Sequence, residues 1–357
     1  MRHNSLSRSV CGATKLRRAR IGPRLASAGL GMLAALALAG CAPNTTTPLM
    51  PASTNSKAIY DLFLVVYAIA ALVFVVVAAA LVYAAVRYSR SKDNALPPQI
   101  EGNVRLEIAW TVIPAVVLVA VFVFSLQTLF AITRTPPAAA GQPDSTLHVR
   151  VIGHRWWWEF VYPGLNITTA NEVHVPAGVD LELDVESVDV VHSFWVPQLA
   201  GQKDATPGHV NVLPLRITQT GVYQGECVEY CGTEHALMRL QVIAETPDQF
   251  QTWVQNQQAG PAAVTGAAAQ GEQVFLKGAC IGCHTVNGTA AKGLTGPNLT
   301  HFASRQVFGG AVLANTPENV AIWLADPQSV KPGNLMPNLH LPPDQISALT
   351  AYLEALK

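Results

Sequence analysis

Hydrophobic positions along the chain change their pattern three times. Residues 59–86 and 108–132 are almost unbroken apolar runs. Each exceeds the roughly 20 residues a helix needs to cross a bilayer. In lipid the backbone can pair only with itself, so both runs predict spanning helices, a hairpin within residues 55–135. Pro114 in the second run predicts a kink that neighbouring helices tolerate. Further on, 146–153, 180–186 and 210–218 alternate or are rich in β-formers, and Pro163-Gly164, Pro176-Ala177-Gly178 and Pro207-Gly208 punctuate them. Short strands at this spacing predict a β-sandwich or barrel over about residues 141–250. Residues 317–325 and 343–356 read as short helices of a last domain, 271–357. Two segments of linker composition separate these regions, 136–141 and the Gln/Ala/Gly-rich 256–270.

The N-terminus reads differently. Arg17, Arg18, Arg20 and Arg24 precede a short apolar run, 25–39, that ends Leu38-Ala39-Gly40-Cys41. A run that short before small residues is a signal sequence, here 1–40. The Cys directly after it resembles a bacterial lipoprotein signal, cleaved before a lipidated Cys41. Arg87, Arg90, Lys92 and Arg105 lie between the apolar runs, which places that loop in the cytoplasm. The expected protein is multi-pass in a bacterial cytoplasmic membrane, with everything after Arg134 on the periplasmic side.

Composition agrees with the membrane. Of 357 residues half are hydrophobic and only 13% are charged. The net charge of zero gives no argument for a nucleic-acid partner. It hides an asymmetry, because 141–247 carries 13 acids against 5 bases while 271–357 carries 5 of each. An acidic middle domain suits a positively charged redox partner.

Candidate chemistry sits in two motifs. Cys227, Cys231, His235 and Met238 follow one another at spacings of 4, 4 and 3, with His192 upstream. Thiolate and thioether are soft ligands that suit copper, and imidazole suits it too. Two cysteines this close can share their sulfurs between two metal ions. The segments Val191-His192-Ser193-Phe194-Trp195-Val196-Pro197 and 225–238 resemble the binuclear copper domain of cytochrome c oxidase subunit II. That resemblance implies a cupredoxin-like all-β barrel with Cys227 and Cys231 bridging two coppers. His192 and Met238 would complete one copper, and His235 with the Glu229 carbonyl the other. It also implies a magnesium ion on the Glu229 side chain at the interface with subunit I. One of Trp156, Trp157 and Trp158 would receive electrons, and spacing leaves open which. Glu107, at the start of the second run, matches a family carboxylate at the entrance of a proton path into subunit I. The set Cys227, Cys231 could alternatively form a disulfide.

The second motif is Cys280-Ile281-Gly282-Cys283-His284, a C-x-x-C-H site for covalent c-type haem. Met336, in the Gly/Pro-rich 332–337, is the one Met of this domain and resembles the second axial ligand of class I cytochromes c, an all-α fold. His301 and His340 are its competitors. Gly296-Pro297-Asn298-Leu299 resembles the segment that supports the proximal His. The whole is expected to be a multidomain subunit that takes electrons from a soluble cytochrome c or similar donor. It would deliver them to oxidase subunit I, with subunit III as a further partner. The alternatives are a denitrification reductase subunit with the same copper centre, or a copper-carrying assembly protein.

Overall fold

The structure, a computed structural model, describes residues 46–88, 101–134, 146–261 and 263–357. The signal segment, Cys41, Arg90, Lys92 and the linker at 136–141 lie outside the described residues.

Two long helices, α1 (Thr54–Arg87) and α2 (Val104–Thr133), are apolar throughout and long enough to cross a membrane. With 34 residues α1 rises about 51 Å, more than the ~30 Å hydrocarbon thickness. Both outrun the apolar stretches because polar residues start them. The Ser53 hydroxyl accepts from Ser56 N–H in a capping box, and Asn103 Oδ1 accepts from Arg105 and Leu106 N–H. Helix α2 passes through Pro114 without a break. Asn55 Nδ2 donates to the Ile132 carbonyl (3.3 Å) and to the Pro214 carbonyl (2.8 Å). The start of α1 therefore meets the end of α2, as a hairpin requires, and both meet the β domain.

That domain is two five-stranded sheets face to face. The first takes the order β3-β2-β1-β5-β8, from β1 (Leu147–His154), β2 (Trp157–Tyr162), β3 (Ile167–Ala170), β5 (Asp180–Ser187) and β8 (Asn211–Arg216). The second runs β4-β10-β9-β6-β7, from β4 (Glu172–Pro176), β6 (His192–Trp195), β7 (Lys203–Ala205), β9 (Gly221–Cys227) and β10 (Arg239–Glu245). Period-two patterning explains β5. Leu181, Leu183 and Val185 point inward, while Asp180, Glu182, Asp184 and Glu186 share the outer face. Part of the acidic excess is thus one strand face, with Arg216 on Asp180 and Arg150 on Glu186.

Helix α3 (Pro247–Gln258) belongs to this domain. Phe250 and Val254 are buried, and Trp253 stacks on His174 with centroids 4.5 Å apart. Helix α4 (Gly266–Lys277) opens the last domain and packs on α7 (Pro343–Leu353), beside α5 (Pro317–Ala325), α6 (Pro327–Val330) and the short pair β11 (Val307–Phe308) and β12 (Leu313–Ala314). A second core, around Phe275, Phe302, Leu349 and Tyr352, holds it. The expected linker 256–270 is corrected here. Residues up to Gln258 end α3 and Gly266 begins α4, so only 259–265 connect the domains. Ala- and Gln-rich sequence is good helix former as well as linker, and tertiary contact decided between them.

Candidate metal and haem centres

The copper candidates converge at one end of the second sheet. His192 opens β6 and is wholly buried; Cys227 closes β9. A loop then carries Cys231, a 3₁₀ turn holds His235, and Met238 precedes β10. The Cys227 N–H donates to the Met238 carbonyl (2.9 Å), which closes the loop on itself. The two sulfurs lie 3.8 Å apart, far from the ~2.05 Å of a disulfide. Cys231 Sγ is 3.6 Å from His235 Nδ1 and 3.9 Å from Met238 Sδ. Cys227 Sγ is 3.9 Å from His192 Nδ1 and 3.3 Å from the Glu229 carbonyl oxygen. Donors that share an ion at bonds near 2.3 Å stand about 3.8 Å apart, so this set fits bound metal. The cysteines, His192 and Met238 are all buried, and the donor types suit copper.

Asp189 orients this set. Its Oδ1 lies 2.8 Å from His192 Nε2, which leaves Nδ1 for the sulfur side. Burial opposes the Asp189 charge, but hydrogen bonds from His192 and from Val190 and Arg155 N–H hold its pKa at about 2. Gly153 makes room for His192, since a Cβ there would lie 2.7 Å from the imidazole. Cys227 is held below the usual thiol range, chiefly by its hydrogen bond with Cys231, while the same bond pushes Cys231 up. The pair thus retains one thiolate readily.

The haem candidates line a cavity of about 260 Å³. Cys280, Cys283, His284 and Met336 all face it, with Phe275, Leu324 and Leu353 among the apolar walls. His284 Nδ1 lies 2.8 Å from the Pro297 carbonyl, which fixes the ring and leaves Nε2 for iron. Burial lowers the His284 pKa, which favours the neutral imidazole that can ligate. Gly296 lets the ring in, for a Cβ there would stand 2.6 Å from His284 Cε1. Met336 is fixed by its N–H donating to Asn334 Oδ1, and its sulfur accepts from Trp323 Nε1 at 3.1 Å. His301 and His340 do not line the cavity, so among the described residues Met336 is the candidate with the right placement. Two thiols, an imidazole and a thioether on one apolar cavity fit a covalently held haem.

The three tryptophans, equivalent in sequence, take different places. Trp158 is fully buried and meets His192 edge-on at 5.9 Å. Trp157 stacks on His154 at 4.1 Å and lines the haem cavity. Trp156 lines the same cavity and donates from Nε1 to the Cys231 carbonyl at 3.0 Å. It therefore touches both centres. Glu107 lies in the exposed first turn of α2, and Glu229 is exposed beside the copper loop, where its carbonyl, not its carboxylate, faces Cys227. Sequence reasoning passed over Asp189, and also Glu172 and Lys331, whose buried side chains hydrogen-bond across to the other domain. Of these only Asp189, three residues before His192, had a local signal.

A buried soft-donor cluster beside a haem-type cavity, on a domain held by two apolar helices, defines a membrane redox protein. Comparisons with known proteins narrow the class. Residues 46–128 match the transmembrane domain of cytochrome c oxidase subunit II, 165–245 match its periplasmic domain, and 268–357 match cytochrome c. Cytochrome c oxidase subunit 2 of Alkalihalophilus pseudofirmus is 38% identical over 327 residues, covering 90% of this chain and 94% of that protein. The Bacillus subtilis protein of the same name is 35% identical over 341 residues, covering 91% and 96%. The crystal structure of the periplasmic domain of subunit II of cytochrome oxidase of Bradyrhizobium japonicum is 27% identical, with a TM-score of 0.31, and covers 32% of this chain and 95% of that one. The chain belongs to the cytochrome c oxidase subunit II family, in a form with a cytochrome c domain after the copper domain. It is a subunit of an oxidoreductase, a membrane protein with a periplasmic domain, and its domains imply a binuclear copper centre and haem c.

Proposed function

We propose that this chain is the electron-input subunit of a respiratory terminal oxidase, receiving electrons from a soluble donor and delivering them to haem a of subunit I. Oxygen reduction to water and the coupled proton pumping would belong to subunit I. The observation that carries the reading is Trp156, which lines the haem cavity and hydrogen-bonds the carbonyl of Cys231. When bound, haem c and the copper pair supply reversible one-electron chemistry at the two ends of that contact.

The side chains have separable tasks. Cys280 and Cys283 would anchor the haem covalently, and His284 and Met336 would complete the iron, the Met raising the potential. His192, Cys227, Cys231, His235, Met238 and the Glu229 carbonyl would hold two copper ions. Burial of His192, Cys227, Cys231 and Met238 keeps water from most of the donors and limits reorganisation when charge moves. Asp189 holds His192 in one tautomer. Trp156 would be the tryptophan of electron transfer, while Trp158 supports His192 from the core. The Glu229 carboxylate is free to meet a magnesium ion at the subunit I interface. Glu107 stands at the helix start, where a carboxylate could receive protons for subunit I. Subunit III and a lipid on Cys41 complete the expected assembly.

The test is spectroscopic. The purified complex should show a c-type haem spectrum together with an electron paramagnetic resonance signal of one electron shared by two coppers. A mononuclear copper signal would sink the reading. Flash reduction of the haem should be followed by reduction of copper within the same chain.

A further inference from the structure

Buried charged groups bridge the seam between the copper and haem domains. Glu172, at the start of β4 and 1% exposed, reaches out of the copper domain with Oε1. That oxygen accepts from the backbone N–H groups of Gln306 and Val307, each at 2.6 Å. From the other side comes Lys331, whose side chain is 3% exposed. Its Nζ donates to the Trp156 carbonyl at 3.1 Å and stands 3.7 Å from Oε2 of buried Glu234. Between these points the Arg239 N–H donates to the Gly310 carbonyl at 2.9 Å.

These bonds join three separate stretches of the copper domain to two of the haem domain. Charge-assisted bonds of this length are directional and about twice as strong as neutral ones. A buried charge tolerates no slip in register, because any shift leaves it without its partner. The haem cavity depends on this register, for Arg155, Trp156, Trp157 and Asn171 of the copper domain form part of its wall. The tether adds to the restraint. Helix α3 is packed on the copper domain, with Gln258 Nε2 donating to the Leu165 carbonyl at 2.9 Å. Seven residues separate Gln258, which ends α3, from Gly266, which begins α4, a span of at most ~25 Å when fully extended.

We propose that Glu172 and Lys331 form a two-point clasp that keeps the haem domain docked on the copper domain in one register. The haem domain then works as a fixed relay and not as a swinging arm. The clasp covers the Trp156 side of the copper domain, so a soluble donor delivers onto the haem domain. The word relay rests on the electron-transfer reading above; the clasp itself does not.

Two measurements on the full chain in its assembled oxidase test this. The first is hydrogen exchange, read by mass spectrometry on the peptide containing Gln306 and Val307. The expected result is protection of both amides in the parent. Loss of that protection by tenfold or more is expected in Glu172→Ala, with most of it kept in Glu172→Gln, whose amide oxygen still accepts. Peptides from the α4–α7 core should be unchanged in both variants. Free exchange at Gln306 and Val307 in the parent would overturn the clasp. The second is flash reduction of the haem in rising glycerol. A docked domain transfers its electron to copper at a rate independent of viscosity, and Glu172→Ala combined with Lys331→Met should make that rate fall as viscosity rises. A viscosity-dependent rate in the parent overturns the proposal. Protected amides with no haem-to-copper transfer at all would keep the clasp and sink the relay reading instead.

Discussion

The two centres of this molecule are built on opposite plans. Every candidate copper donor comes from one domain, and five of the six proposed are packed into the twelve residues from Cys227 to Met238. The candidate haem donors also come from one domain, yet the cavity around them is finished by Trp156, Trp157, Arg155 and Asn171 of the other. The copper site is thus a local loop closed by a strand, and the haem site is a junction. A local site should fail all at once when a donor is lost. A junction should fail by degrees as docking loosens.

The largest effect expected is Cys227→Ser. Without one bridging sulfur the shared-electron copper signal should vanish while the c-type haem spectrum stays intact, which separates the two centres cleanly. Loss of both spectra together would mean that the centres fold as one unit. Next comes Lys331→Met. It leaves Glu234 buried without its cation, a cost of about 3–5 kcal/mol charged to the seam. Limited proteolysis within 259–265 should become faster, and the copper signal should remain. Replacing Asp189 by Ala removes the group that orients His192. Outer partners of this kind typically change metal affinity by about 10–100-fold, measurable by copper competition titration. A smaller change is expected of Trp156→Phe, which keeps an aromatic ring but loses the bond to the Cys231 carbonyl. Haem-to-copper transfer should slow a few-fold, with both spectra normal, whereas Trp157→Phe should leave it nearly unchanged.

The smallest effect concerns pH. The Asp189 pKa is held at about 2, below its ordinary 3.8, so the folded protein favours the ionised form. Its contribution to stability is full above the ordinary value and disappears as pH falls through about 2. Melting curves of the metal-free chain should therefore show the Asp189→Ala deficit at pH 6, and the gap to the parent should close on acidification. A gap that widens instead would reverse the assigned sign.

Much of this could be read from the chain alone, for a stated reason. The apolar runs declare helices α1 and α2 because lipid accepts nothing else, and only their polar capping turns escaped the pattern. The alternation in β5 and the helix over Pro317–Ala325 were legible because side-chain direction follows local periodicity. Cys227 to Met238 and Cys280 to His284 were legible because chemistry imposes their spacing within a loop or a turn. Met336 needed the resemblance of its loop, and the cavity then separated it from His301 and His340. Tertiary structure alone decided the rest. Three adjacent tryptophans are identical to any local rule, and only the β1–β2 turn places Trp156 between the centres. Glu172 and Gln306 stand 134 positions apart, Lys331 and Trp156 175 apart, and no period or motif links them. Their pairing exists only once two separate cores meet, because a buried charge finds its partner through docking and not through sequence distance.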